Sequence, residues 1–441
     1  MAIRQAADDF EPLLLPLRRT GPRFYLFVAA LAGIVGWGLY AYSIQLKDGL
    51  AVTGMRDIVS WGIYISNFVF FIGISHAGTL ISAILRVSHA DWRRPVTRMA
   101  EAITVMALMI GALFPIFDLG RPERMLNLLL YGRIESPIVW DLISIATYLT
   151  GSLIYLYLPL IPDIGHYRDT LHGASWWRRR LYRLLSLGWR GTPEQKRHLE
   201  KAIGIMAVII IPVAVSVHTV VSWIFGMTLR VGWRSSIFGP YFVVGAIFTG
   251  IASIIIAMAL FRKVYHLEQY ITYQHFKNLG LLLLVLDVAY IYFTINEYLT
   301  ALYNATDSEL SLISSLVFGP YAFDFWFFAV AGLIVPAFII GVPKTRSIAG
   351  LVAASLLINV ALWFKRYVIV IPTMANPQLP IGWGTYLPTW VEWSITAASV
   401  AGFILLFTIF SKVFTIVSIW EVREGAETEA TLHGGARGGS A

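Results

Sequence analysis

The chain contains no cysteine. That absence excludes disulfides, thiolate ligation of an iron–sulfur cluster by this chain, and covalent attachment of a c-type haem. Charge is scarce as well: Asp, Glu, Lys and Arg make up 14% of the 441 residues, against 57% hydrophobic residues. A soluble domain carries far more charge, so the composition places the chain in the membrane class. The layout of a cleavable signal peptide is also missing. Residues 1–23 carry acids, prolines and Arg18, Arg19 and Arg23, and the first apolar segment is therefore expected to stay in the protein.

Ten apolar segments are present, each near the ~20 residues that a bilayer crossing needs. They cover about 24–45, 58–86, 98–118, 139–160, 202–226, 240–262, 277–302, 322–342, 347–371 and 390–416. With both termini on one side, that side collects 25 of the 34 Lys and Arg residues and the other side seven, while Lys365 and Arg366 fall inside a span. Positive residues accumulate on the cytoplasmic side, so both termini are expected in the cytoplasm. The net charge of +8 then faces anionic lipid headgroups and calls for no nucleic acid. The basic loop 161–201, with Trp176, Trp177 and the arginines after them, reads as an interfacial helix. The glycine-rich tail reads as disordered.

The chain resembles two copies of one unit. At a constant offset of 177, Gly62 falls on Gly239, Tyr64 on Tyr241, Gly73 on Gly250 and Arg86 on Lys263. Spans two to five and six to nine also begin on the same side. The expected fold is all-α and integral to the membrane: ten helices in two four-helix bundles, with a peripheral helix at each end of the chain. The expected division is a tail over 1–23, a peripheral helix and outer loop over 24–57, a first bundle over 58–226 and a second over 227–371. An outer loop and tenth helix over 372–416 and a disordered tail over 417–441 complete it. Ser253 stands where His76 would repeat, so the polar site is expected in the first bundle.

Polar residues inside hydrocarbon are costly and usually functional. His76 lies within an apolar helix rich in small residues and can exchange a proton near neutral pH, as a quinone site requires. In FPIFDLGRPERM, Pro115 and the Gly120-Arg121-Pro122 turn break a helix near the outer surface and leave Asp118 at its mouth, with Arg121 beside it and Asp141 at the same level. Such a carboxylate either caps the helix end or accepts a proton from a ligand hydroxyl. His218 lies in the fifth span. A bis-histidine haem with His76 would need matched depths, and the two differ by about six residues, or ~9 Å of helix rise. In the second bundle, Glu297, Asp324, Lys365 and Arg366 are expected to pair their charges, the alternative being to conduct protons or dock a partner. Asp287, alone in LLLLVLDVAYIYF, is a further candidate for a proton path. No metal-ligating set is expected.

Three motifs carry a family resemblance: the Trp61-Gly-x-Tyr64 opening of the second span, HAGTLISA at His76, and FDLGRPER at Asp118. Together they resemble the NrfD/PsrC-type quinol-interacting membrane subunits over roughly 24–416. The likeness is greatest to the first of the two NrfD-like membrane proteins of bacterial alternative complex III, with the second as a paralogue of similar design. The resemblance implies menaquinol as substrate, oxidised at the periplasmic side of the bacterial inner membrane with no redox group held by this chain. Iron–sulfur clusters and haems c belong to partners, an iron–sulfur subunit and multihaem cytochrome c subunits, beside a paralogous NrfD-like membrane subunit. His76 and Asp118 become the catalytic candidates. Trp61, Tyr64, Arg121 and Asp141 join them in quinol binding, with Asp57 the one polar residue at the helix entrance. A secondary transporter and a purely structural anchor are the alternatives. Transporters break helices at matching places in both halves, whereas the break at Asp118 is expected only in the first.

Overall fold

The computed structural model describes residues 11–18, 20–171, 173, 175–303, 306–377 and 382–425. Among them, ten helices are long and apolar enough to cross a membrane: Pro22–Val52, Ile63–Val87, Thr97–Asp118, Pro137–Thr170, Pro193–Gly226, Phe238–Val264, Tyr273–Tyr303, Ala322–Gly341, Ile348–Ala375 and Trp390–Val413. In hydrocarbon every backbone N–H and C=O must be satisfied within its own segment, and apolar runs of this length leave the helix as the available solution. The protein is a multi-pass integral membrane protein.

Spans two to five close a ring, each touching its neighbours, and spans six to nine close a second. The rings join where the sixth span packs on the second and fifth, and the ninth on the second. The first and tenth spans pair with each other, and the tenth leans on the third. Small residues set these distances. A side chain on Gly78 would overlap the Ala100 carbonyl and the Thr104 hydroxyl of the third span.

The third span breaks at residues 112–113 and restarts as Phe114–Asp118 with Pro115 in its first turn, where the missing N–H costs nothing. Gly120 follows with φ +65°, and Leu50 packs over it. A second irregularity was not expected: Phe327–Ile334 of the eighth span winds as a π-helix. It lies just ahead of Pro336, which has no N–H for the carbonyl one turn back. At the offset of 177 the eighth span answers to the fourth, which is continuous. The two halves are therefore broken at different places.

The face that carries the described ends of the chain departs furthest from expectation. The loop expected over 161–201 shrinks to 171–192, because the fourth span runs on to Thr170 and the fifth starts at Pro193 under a Thr192 cap. The interfacial helix Trp176–Leu185 does form, with Trp176 and Trp177 exposed. The tail expected to be disordered from 417 is instead packed as far as 425. Ile416, Val417 and Ile419 are buried, and helix resumes at residues 419–425. Glu421 enters between Arg86 and Arg93, 3.3 Å from the latter, and accepts the Thr97 hydroxyl at 2.6 Å. Burial alone would raise the Glu421 carboxyl, but the guanidiniums of Arg86 and Arg93 hold it below the usual range. Residues 426–441 lie outside the described part.

A paired histidine at the bundle seam

His76 and His218 are both fully buried, and their ring centres lie 4.1 Å apart. The depth difference counted along the sequence is overturned. Side chains on a helix lean toward its N-terminus, and the second and fifth spans run antiparallel, so the two rings lean toward each other and close the gap. The contact also rules out a bis-histidine haem in this arrangement. An iron between two nitrogens, each ~2 Å away, would hold the ring centres well beyond 4.1 Å.

Nδ1 of His76 lies 2.7 Å from the Ile72 carbonyl. A carbonyl only accepts, so Nδ1 carries the hydrogen and Nε2 of the neutral ring keeps its lone pair. Among the described residues Nε2 has no hydrogen-bond partner, and neither has either ring nitrogen of His218. Tyr148 packs on His76 with ring centres 4.8 Å apart and donates to the Ser75 carbonyl. Buried polar atoms without partners are rare, and three meet at this one contact among the described residues.

Aromatic rings connect this pair to the face opposite the chain ends. Trp61 meets Phe225 at 5.9 Å, Phe225 meets Phe242 at 5.9 Å, and Phe242 meets His218 at 6.2 Å. Trp61 also stacks on Trp233. Tyr64, one turn along from Trp61, faces elsewhere. Its hydroxyl donates to Gln45, whose amide donates to the Phe117 carbonyl. Asp118 follows Phe117, half-buried, with one carboxylate oxygen unpartnered among the described residues. Arg121 is exposed and forms no ion pair with it, so the guanidinium expected to balance that acid does not. Asp141 is buried with an unpartnered oxygen beside the Trp140–Trp223 contact and shares no hydrogen bond with Asp118. Asp57 is exposed. The residues read as one pocket thus divide into a seam group of Trp61, His76 and His218 and a mouth group of Tyr64 and Asp118.

The polar chemistry also crosses into the second bundle. Arg366 lies over the Phe242 ring, 5.4 Å from its centre, and donates to Tyr290 at 3.3 Å. Only a glycine at 245 leaves room for Arg366 and Tyr290 together. Lys365 pairs with Glu297 at 2.7 Å and sits 5.2 Å from Phe328 of the π-helical turn. Glu297 borders a cavity of about 340 Å³ that also meets Arg234 and Glu309. The charge pairing expected for Glu297 and Lys365 is present, whereas Asp324 forms no ion pair among the described residues. Asp287 is fully buried with neither oxygen hydrogen-bonded to a described residue.

Three groups escaped the sequence reading. Glu101 accepts the Ser82 hydroxyl at 2.7 Å inside the first bundle. Arg98 pairs with Asp163, which also accepts the backbone N–H of Ile419 and Trp420. Glu392 accepts from Tyr386 and from the backbone of Gly54 and Thr389. Burial and the Glu392 charge push the Tyr386 phenol up, so it remains a donor. Only Glu392 had a local signal, the Thr389-x-x-Glu392 capping box.

The polysulphide reductase NrfD family model matches residues 51–377, which takes in the second to ninth spans and both polar groups. The chain belongs to the polysulphide reductase NrfD family. It is 25% identical over 406 residues to a selenate reductase subunit of Mesobacillus selenatarsenatis, covering 88% of this chain and 92% of that one. An Hdr-like menaquinol oxidoreductase integral membrane subunit of Archaeoglobus fulgidus is 24% identical, with 92% and 96% covered. The integral membrane subunit of a menaquinone reductase of Nitratidesulfovibrio vulgaris is 22% identical, with 86% and 88% covered.

Proposed function

We propose that this NrfD-family chain is the quinol-binding membrane subunit of a multisubunit oxidoreductase of the alternative complex III type. It oxidises menaquinol near the periplasmic face of a bacterial inner membrane. Electrons pass to an iron–sulfur partner and on to multihaem cytochrome c subunits, and a paralogous NrfD-like subunit shares the membrane. The charge asymmetry of the loops supports cytoplasmic termini, which makes the opposite face periplasmic. The menaquinol and menaquinone named for two relatives support the choice of substrate.

One observation carries this reading: three imidazole nitrogens, without a partner among the described residues, at the buried end of an aromatic run that begins at Trp61. A quinol ring stacks on such a run and presents hydroxyl protons to the nitrogens. Each quinol gives up two electrons and two protons. Nε2 of His76 takes one proton while Nδ1–H stays on the Ile72 carbonyl. The other leaves toward the periplasmic mouth, where Asp118, beside Tyr64 and Gln45, receives it and Arg121 and Asp141 guide the approach. Protons crossing the membrane use His218, Lys365 and Glu297, with the fixed charge of Arg366 steering them and Asp287 and Asp324 as further carriers.

Menaquinol turnover by the purified complex tests the assignment. His76→Gln and Asp118→Asn should each slow turnover by ~10²-fold or more, the usual scale of a lost acid–base group. Unchanged turnover in both would leave the chain as a structural anchor.

A further inference from the structure

A groove of about 580 Å³ lies far from the histidine pair, on the face that carries the chain ends. Four elements build it: the helix Glu11–Arg18, the start of the first span, the end of the sixth and the end of the tenth. Its walls are apolar, from Leu15, Phe24, Phe27, Leu260, Phe261 and Val264. Its charged lining is of one sign. Arg23, Lys412 and His266 border it, and no Asp or Glu does among the described residues.

Arg23 is exposed in the first turn of its helix and forms no ion pair among the described residues. Lys412 stands over the rings of Phe24 and Tyr265, 5.0 and 5.4 Å from their centres, and donates to the Pro16 carbonyl. The Tyr265 hydroxyl is held 2.8 Å from Ser411. Both cations sit at helix ends, where headgroups lie, and the apolar walls continue along the spans.

We propose that this groove is a site for one anionic phospholipid, its phosphate held by Arg23 and Lys412 and one acyl chain lying along Phe27, Leu260 and Val264. A neutral isoprenoid tail would fit the walls but has no use for the cations, and a zwitterionic lipid brings a compensating positive charge. Basic pockets between membrane helices select anionic headgroups in this way.

The test uses the complex as purified, washed in detergent and exposed to phosphatidylglycerol, phosphatidylcholine or menaquinone, with bound lipid counted by native mass spectrometry. The intact chain should retain one phosphatidylglycerol where phosphatidylcholine and menaquinone wash away. Arg23→Gln should weaken retention about fivefold, the scale of one headgroup contact, and adding Lys412→Gln should weaken it again. Val264→Trp, which fills the groove and spares the charges, should also displace the lipid. Should the double variant fail to fold, Arg23→Gln alone decides, because that side chain holds no ion pair among the described residues. Equal retention of phosphatidylcholine, preferred retention of menaquinone, or undiminished phosphatidylglycerol in Arg23→Gln would overturn the proposal.

Discussion

His76 and His218 touch ring to ring, 4.1 Å between centres, at the seam where the two bundles meet. Neither imidazole can change its charge without the other feeling it, so the pair titrates as a unit. Substitutions in such a unit do not add. His218→Gln should therefore slow quinol turnover by ~10-fold or more, and the His76→Gln/His218→Gln double variant should be little worse than His76→Gln alone. Independent losses that multiply would separate the two rings functionally. The comparison needs only steady-state rates in the purified complex.

Lys365 and Glu297 form a buried pair beside the π-helical turn. Removing one partner of such a pair costs about 3–5 kcal/mol, whereas an apolar replacement of both is often neutral. Glu297→Gln should lower the melting temperature, and Lys365→Met with Glu297→Leu should recover it. A double variant that is stable and oxidises quinol, but no longer moves protons in liposomes, assigns the pair to proton transfer. Full proton movement would make it structural.

Glu421 gives the fold a dependence on pH. Its carboxyl is held below the ordinary glutamate value in the folded protein, because Arg86 and Arg93 outweigh the effect of burial. A group with a lowered folded value stabilises fully above its unfolded value of about 4.5, and loses that contribution as pH falls through the lowered one. Melting temperature should therefore fall more steeply below about pH 4.5 in the native chain than in Glu421→Gln. The variant itself should lose about 3–5 kcal/mol at neutral pH, since the buried Arg93 and the partly buried Arg86 lose their partner.

Gly78 marks a close crossing of the second and third spans. Gly78→Val would drive the helices apart and should cost about 1–3 kcal/mol, the usual scale of overpacking. The same crossing fixes His76 two residues earlier, so turnover should fall with stability. A stable Gly78→Val variant with normal turnover would show that the helices can part there without disturbing the histidine.

The architecture was legible because hydrocarbon imposes one rule on every residue it surrounds. All ten apolar runs became helices, with ends shifted by up to about ten residues where polar turns extend the helix, as at Thr170 and Pro193. His76 and Asp118 stood out because each is an ionisable group in an apolar helix. His218 stood out too but was placed at another depth, since its contact with His76 depends on which way side chains lean in antiparallel helices. The packing of 417–425 was hidden for a related reason. Glu421 looks like a tail residue until Arg86, 335 positions earlier, supplies the charge that draws it in.

That last contact bears on how the protein is made. Arg86 and Arg93 emerge from the ribosome with the second and third spans, but the carboxylate that neutralises them comes from residue 421. At synthesis rates of about 5–20 residues per second, the first bundle waits on the order of tens of seconds for it. Asp163 likewise stays short of the Ile419 and Trp420 amides until the tenth span is in place. The first bundle is thus completed by residues translated after the tenth span, and a nascent chain stalled before them leaves an open, charged bundle for the cell's quality control to recognise.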